Sequence, residues 1–184
     1  MNRGPLALLF FCGTSCSGCR SGGAQLAPAP GVTLGSLTVT STSFPSNGGI
    51  PVDYTCDGAD KSPQLTLSAP PAGTQSLAIV ADDPDAPGGT FTHWIAYNLQ
   101  ADLRTFPEGA DPLSVGAAVG TNDFNRIGYA GPCPPKRELH HYYFRVFALN
   151  ALLDLKPNVM RDGFDAAMSG HVLAEGALIG VFSH

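Results

Sequence analysis

Charge is scarce in this chain. Asp, Glu, Lys and Arg make up only 14% of it, the net charge is −5, and no long basic run appears. The phosphate backbone of nucleic acid is met by clustered Lys and Arg, so no nucleic-acid partner is expected. The apolar run Leu6 to Phe11 falls far short of the roughly 20 residues that a spanning helix needs. No internal repeat is visible. The G-x-S-x-G of serine hydrolases does not occur, and "MSGH" only sets Ser169 two residues from His171, with no oxyanion arrangement to argue from. The histidines and acids match no common zinc spacing. Neither a metal nor a cofactor is expected.

Apolar residues and turn formers are abundant. Hydrophobic residues make up 43% of the 184, enough for one core and one domain. The 22 glycines and 16 prolines point to many turns and therefore many short strands.

The N-terminus has its own character. "MNRGPLALLFFCGTSCSGCRSGG" runs from an early cation, Arg3, through a short apolar stretch to small residues, the order of a secretory signal. Cysteines beside small residues also fit a lipoprotein signal. Cys19, preceded by Ser17 and Gly18, is the best candidate for a lipidated first residue, although Cys16 stands where Leu is usual. Cys16 is the second candidate, and Cys12, after two phenylalanines, fits badly. Simple cleavage without lipid is the alternative. Residues 1–19 are accordingly read as a signal, 20–35 ("RSGGAQLAPAPGVTLG") as a flexible tether between anchor and domain, and 36–184 as the folded domain. With Cys19 at the mature start, Cys56 and Cys133 remain. Export permits a disulfide between them, and two separate thiols are equally compatible with the sequence.

Within the domain, "LTVTST", "VDYTC", "QLTLSA", "SLAIVADD", "THWIAYNL", "AAVGTND", "HYYFRVFALN" and "ALIGVF" read as strands by alternation or β-branched and aromatic content. One helix is expected in "NVMRDGFDAAMSGHVLA", where Met160, Phe164, Met168 and Val172 recur every four residues and Asn158 stands where a cap would. Many strands with one late helix predict a mainly β sandwich.

Two segments carry the candidate chemistry: "ADDPDAPGGTFTHW" (Ala81 to Trp94) and "GTNDFNRIGYAGPCPPKRELHHYYF" (Gly120 to Phe144). Each sets a Pro-rich loop against a strand with histidine near the junction. If the strands end at one sheet edge, the imidazoles converge there. Simpler readings apply residue by residue. Aspartates in "DPDAP" serve turns, Trp94 and His171 suit a core, and His184 suits solvent. Adjacent His140 and His141 point to opposite faces of a strand.

"DPDAP" followed by "HW", then "NDF", "GY", "GPCPP" and the H-x-Y of His140 to Tyr142, resembles the phosphatidylethanolamine-binding protein family. Its bacterial, Raf-kinase-inhibitor-like members are the nearest fit. "YTCDGADKSPQL" and "GHVLAEGALIG" match the same pattern, so the resemblance spans about residues 36 to 184. It implies a large antiparallel sheet packed on a smaller one, helix near the C-terminus, and a small pocket for phosphate-like anions. Matched by motif, the pocket residues would be Asp83, Asp85, His93, Gly131, Pro132, His140 and Tyr142. The chain departs from the family at His141, where Arg is usual, and at Asn125, Arg137 and Leu67. In chemical terms His93, His140 and Tyr142 offer donors to an anion, while Asp83 and Asp85 would orient imidazoles, since a carboxylate repels an anion.

The resulting expectation is an exported or lipid-anchored, periplasmic or extracellular binding protein, not an enzyme. It would hold a small anionic or phosphate-bearing ligand, such as a phospholipid head group. An inhibitor of an extracytoplasmic protease or kinase-like partner is the first alternative. A hydrolase using the same histidines as acid and base is the second.

Overall fold

Both faces of the long strands are covered, which is why their sequences run apolar with little alternation. The computed structural model describes residues 26–184 and Met1. The signal expected over 1–19, with Cys19, and the first part of the expected tether lie outside the described residues. In chain order the strands are β1 (Gly35–Ser36), β2 (Val39–Thr40), β3 (Gly48–Gly49), β4 (Leu65–Leu67), β5 (Ser76–Asp83), β6 (Phe91–Gln100), β7 (Thr105–Phe106), β8 (Ala118–Val119), β9 (His140–Leu149) and β10 (Val172–Phe182). One helix, α1 (Arg161–Met168), precedes β10.

The large sheet has the order β1-β10-β9-β5-β6-β8, with β3 also on β10, and the small sheet is β2-β4-β7. Strands β10, β9, β5, β6 and β8 are antiparallel neighbours, whereas the two-residue strands β1 and β3 pair with β10 in parallel. The protein is thus a mainly β sandwich with one helix late in the chain.

Two apolar layers lie on the two faces of the large sheet. Ile79, Ala81, Trp94, Phe144 and Val146 pack toward the small sheet against Leu65 and Phe106. Ala78, Val80, Ile95 and Phe147 pack the other way, against Phe164 and Met168 of α1. The side-chain period of two sorts neighbouring residues of one strand between the layers.

Three expectations are corrected. The tether ends before residue 35, because Ala29 is 2% exposed and its N–H donates to the Val172 carbonyl at 2.9 Å. Gly35 and Ser36 then pair with Ala174 and Glu175. "VDYTC" is not a strand: Val52–Tyr54 form a 3-10 turn, entered through Pro51 at φ −61° and closed by Thr55 N–H on the Val52 carbonyl. The helix is shorter than its four-residue repeat suggests. Asn158 adopts φ +63° and caps nothing, the cap position is Met160, and Gly170 at φ +83° marks the turn into β10. Val172 therefore belongs to the sheet, and Phe164 and Met168 are the buried residues that face it from the helix, with Ala167 beside them.

Phe164 is fully buried, and deleting its ring leaves a cavity beneath a single short helix. Phe164→Ala is expected to lower stability by about 3–5 kcal/mol in urea unfolding; a loss below about 1 kcal/mol would show that α1 does not anchor this face.

Candidate functional site

The carboxyl end of β5 carries two adjacent aspartates with separate fates. Asp82 follows the helix-side register of Ala78 and Val80. It forms ion pairs with Arg161, through Nη1, and with Arg145 Nε at 3.6 Å. A cavity of about 590 Å³ opens beside these groups, but its arginines already have carboxylate partners in Asp82 and Asp165. Burial raises the Asp82 pKa, against the pull of Arg161.

Asp83 follows the opposite register, that of Ile79 and Ala81, and lines a second cavity of about 420 Å³. His140 Nδ1 donates to Asp83 Oδ2 at 2.7 Å, and both side chains are 4% exposed. His140 Nε2 lies 3.3 Å from Glu138 Oε2, whose side chain is 55% exposed at the surface. Burial alone would lower the His140 pKa. The hydrogen bonds to Asp83 and Glu138, with the Asp83 and Asp85 charges, outweigh it and raise the value. With a carboxylate at each nitrogen, His140 is placed to donate from both when protonated, the form these partners favour.

His93 reaches the same cavity through an irregularity in β6. Ala81 pairs with Trp94 while Asp82 pairs with Thr92, so β6 carries one extra residue at His93. A bulge of this kind re-aims a side chain. Here it puts His93 beside the cavity although Trp94, the next residue, packs in the core on the same side. His93 Nδ1 lies 2.8 Å from the Ala130 carbonyl and 3.1 Å from that of Gly131. Both are acceptors, so Nδ1 carries the hydrogen. Burial pushes the His93 pKa down, against the Ala130 hydrogen bond and the Asp83 charge.

The loops are tied from several sides. Asn122 Nδ2 donates to the His93 and Gly128 carbonyls while its Oδ1 accepts from Phe124 and Arg126 N–H. Gly131 N–H donates to Asp60 Oδ1 at 2.6 Å. A side chain at Gly131 would meet the Tyr54 carbonyl at 2.3 Å, so the position has no room for one. Cys56 and Cys133 are joined as a disulfide across 77 residues, and Cys56 N–H donates to the Pro132 carbonyl. Constraining a loop of that length stabilises by roughly 4 kcal/mol in the chain-entropy model. Among the described residues the one group able to meet at a metal is Cys56, Cys133 and His184, and its two sulfurs are bonded to each other.

The expected site residues therefore divide. Asp83, His93 and His140 line one cavity. Gly131 and Pro132 brace its wall through their backbones. Tyr142 is buried, with its ring edge-on to His93 at 5.3 Å, and its hydroxyl has no hydrogen-bond partner among the described residues. Burial, then the Asp83 charge, holds that phenol well above its usual range. Asp85 does not orient a cavity imidazole. It accepts from the backbone N–H and Nδ1 of the half-exposed His141, because His141 points to the other face of β9. The sequence reading missed Phe91, Phe124, Pro134 and Pro135 on the cavity wall, and Glu138 at its mouth. Glu138, two residues before His140, was the legible signal among them.

A β-sandwich with a histidine and aspartate cavity at one end of its large sheet is the class of protein defined here. The family model described as phosphatidylethanolamine-binding protein matches residues 40–183. A UPF0098 protein of Pyrococcus abyssi is 38% identical over 184 residues, covering 97% of this chain and 96% of the relative. Another, from Pyrococcus horikoshii, is 45% identical over 155 residues, covering 80% and 76%. Among solved structures, a phosphatidylethanolamine-binding protein homologue of Chlamydia trachomatis shares 35% identity at a TM-score of 0.75, covering 81% of this chain and 98% of that one. E. coli YbcL, described as a member of the mammalian PEBP family, shares 31% at 0.76, covering 81% and 99%. The chain belongs to the phosphatidylethanolamine-binding protein family.

The two cavity histidines bear on stability with opposite signs. His140, with a raised pKa, contributes stability that is complete below its unfolded value of about 6.5 and is lost as pH rises through the folded value. His93, with a lowered pKa, contributes stability present above about 6.5 that is lost as pH falls through its folded value. The deficit of His140→Gln in thermal unfolding should therefore be larger in mild acid than in mild base, and that of His93→Gln the reverse. Parallel deficits for both variants would contradict these assignments.

Proposed function

We propose that this protein is an exported binding module that holds a small phosphate-bearing anion in the cavity of Asp83, His93 and His140. The single observation that carries the reading is the position of His140, held by Asp83 at Nδ1 with a second carboxylate, Glu138, at Nε2, a setting that favours the protonated ring. The ring is buried, fixed by Asp83, and presents Nε2 toward a cavity with apolar walls, where a charge-assisted hydrogen bond gains strength from the low local dielectric. An anion entering there takes the place of the Glu138 carboxylate. Phe91, Phe124 and the prolines would cover the apolar remainder of a ligand.

Titration with inorganic phosphate, followed through the histidine ring resonances, tests the reading. His93 and His140 should both shift in the millimolar range, and His140→Ala should weaken binding by about tenfold or more. Rings that stay unmoved throughout that range would refute it.

The same proposal includes a lipid anchor on Cys19. The order of cation, apolar run and small residues before that cysteine supports it. Mass spectrometry of the membrane fraction should find a diacylglyceryl group on Cys19; an unmodified soluble chain retaining those residues would overturn the anchor.

A further inference from the structure

The anion reading leaves open which anions the cavity accepts, and the two imidazoles are not equivalent in this respect. His140 has a carboxylate acceptor at each nitrogen, Asp83 on one side and Glu138 on the other. His93 spends its one N–H on the Ala130 and Gly131 carbonyls. Its Nε2 forms no hydrogen bond with any described residue, and this is the nitrogen left for the cavity. With its hydrogen on Nδ1, the neutral ring, the form that burial favours, offers a lone pair at Nε2 and no proton. Binding an anion through His140 while leaving that lone pair unmet would carry the cost of a buried, unsatisfied acceptor. The ionisable groups around His93 are Asp83 from β5, His140 and Tyr142 from β9, and Asp123 from the loop after β8. None of them donates to its Nε2.

We infer that the cavity selects a phosphate that still carries one hydrogen, a monoester or inorganic phosphate in its monoanionic form. One anionic oxygen accepts from His140 Nε2 in place of Glu138, and the P–OH donates to His93 Nε2. This deepens the anion-binding reading and rests on it. The ligand class that follows is narrower than phosphate in general. A phosphodiester, the state of phosphorus in an intact phospholipid head group, has no P–OH to give. Phosphate monoesters, whose second pKa is about 6, supply the monoanion in mildly acid and near-neutral solution.

The experiment compares methyl phosphate, methyl sulfate and dimethyl phosphate by calorimetry at a pH of about 5.5, where the first is mostly monoanionic. All three then carry a single negative charge, and methyl sulfate has nearly the shape of methyl phosphate without its hydrogen. Methyl phosphate should bind at least about tenfold more tightly than either of the others. The ¹⁵N shifts of the His93 ring in the free protein should report a neutral imidazole protonated at Nδ1. Equal binding of methyl phosphate and methyl sulfate would overturn the inference while leaving the anion site intact, as would a His93 ring protonated at Nε2. Binding of none of the three, together with no response to inorganic phosphate, would overturn the anion site itself and this inference with it.

Discussion

The pairing of His140 with Asp83 is the constraint on which the site rests. Each side chain is almost wholly removed from water, and neither would tolerate that alone. An unpaired buried carboxylate shifts its pKa or destabilises the fold, and removing one partner of such a pair typically costs about 3–5 kcal/mol. With the pair made, the imidazole is fixed in orientation and its outer nitrogen is directed at Glu138 and the cavity. The second Asp83 oxygen accepts from the Asp85 N–H at 2.9 Å. One carboxylate thus holds both the histidine and the start of the loop that walls the cavity.

Two neighbouring aspartates perform separate tasks because a strand offers its residues to opposite faces. Asp82 closes an ion-pair network with Arg161 and Arg145 on the helix side. Asp83 serves the cavity. The same pleat divides His140 from His141, which meets Asp85 at the surface. His93 escapes the rule. The extra residue in β6 lets both His93 and Trp94 reach the side of the small sheet, one beside the cavity and one in the core. Asn122 and the Ala130 and Gly131 carbonyls hold the bulge in place, so the loop after β8 determines which nitrogen of His93 faces the cavity.

Much of this arrangement was legible beforehand. The run "SLAIVADD", apolar on both faces, reported a central strand, and "HYYFRVFALN" a second. Motif order placed Asp83, His93 and His140 together. The helix was over-extended because Met160 and Val172 lie at helical spacing by coincidence. Periodicity does not register that Asn158 and Gly170 adopt positive φ. Asp85 was given a cavity role because it belongs to the DPDAP motif of the resemblance; two residues past the end of β5 an aspartate can turn either way, and the backbone of the turn decides. The last residues of the expected tether were read as free because Gly, Ala and Pro carry no strand signal, although their backbones pair with β10.

By itself the sequence determined the mainly β sandwich, through composition and side-chain period, and the family, through the resemblance of its ordered motifs, which also singled out Asp83, His93 and His140. Only the tertiary structure decided that Cys56 reaches Cys133, that Glu138 covers His140, and that His93 turns its bare nitrogen to the cavity. The reason is physical: each depends on a contact between segments far apart in the chain, or on one extra residue in a strand, and neither leaves a periodic trace in the order of amino acids.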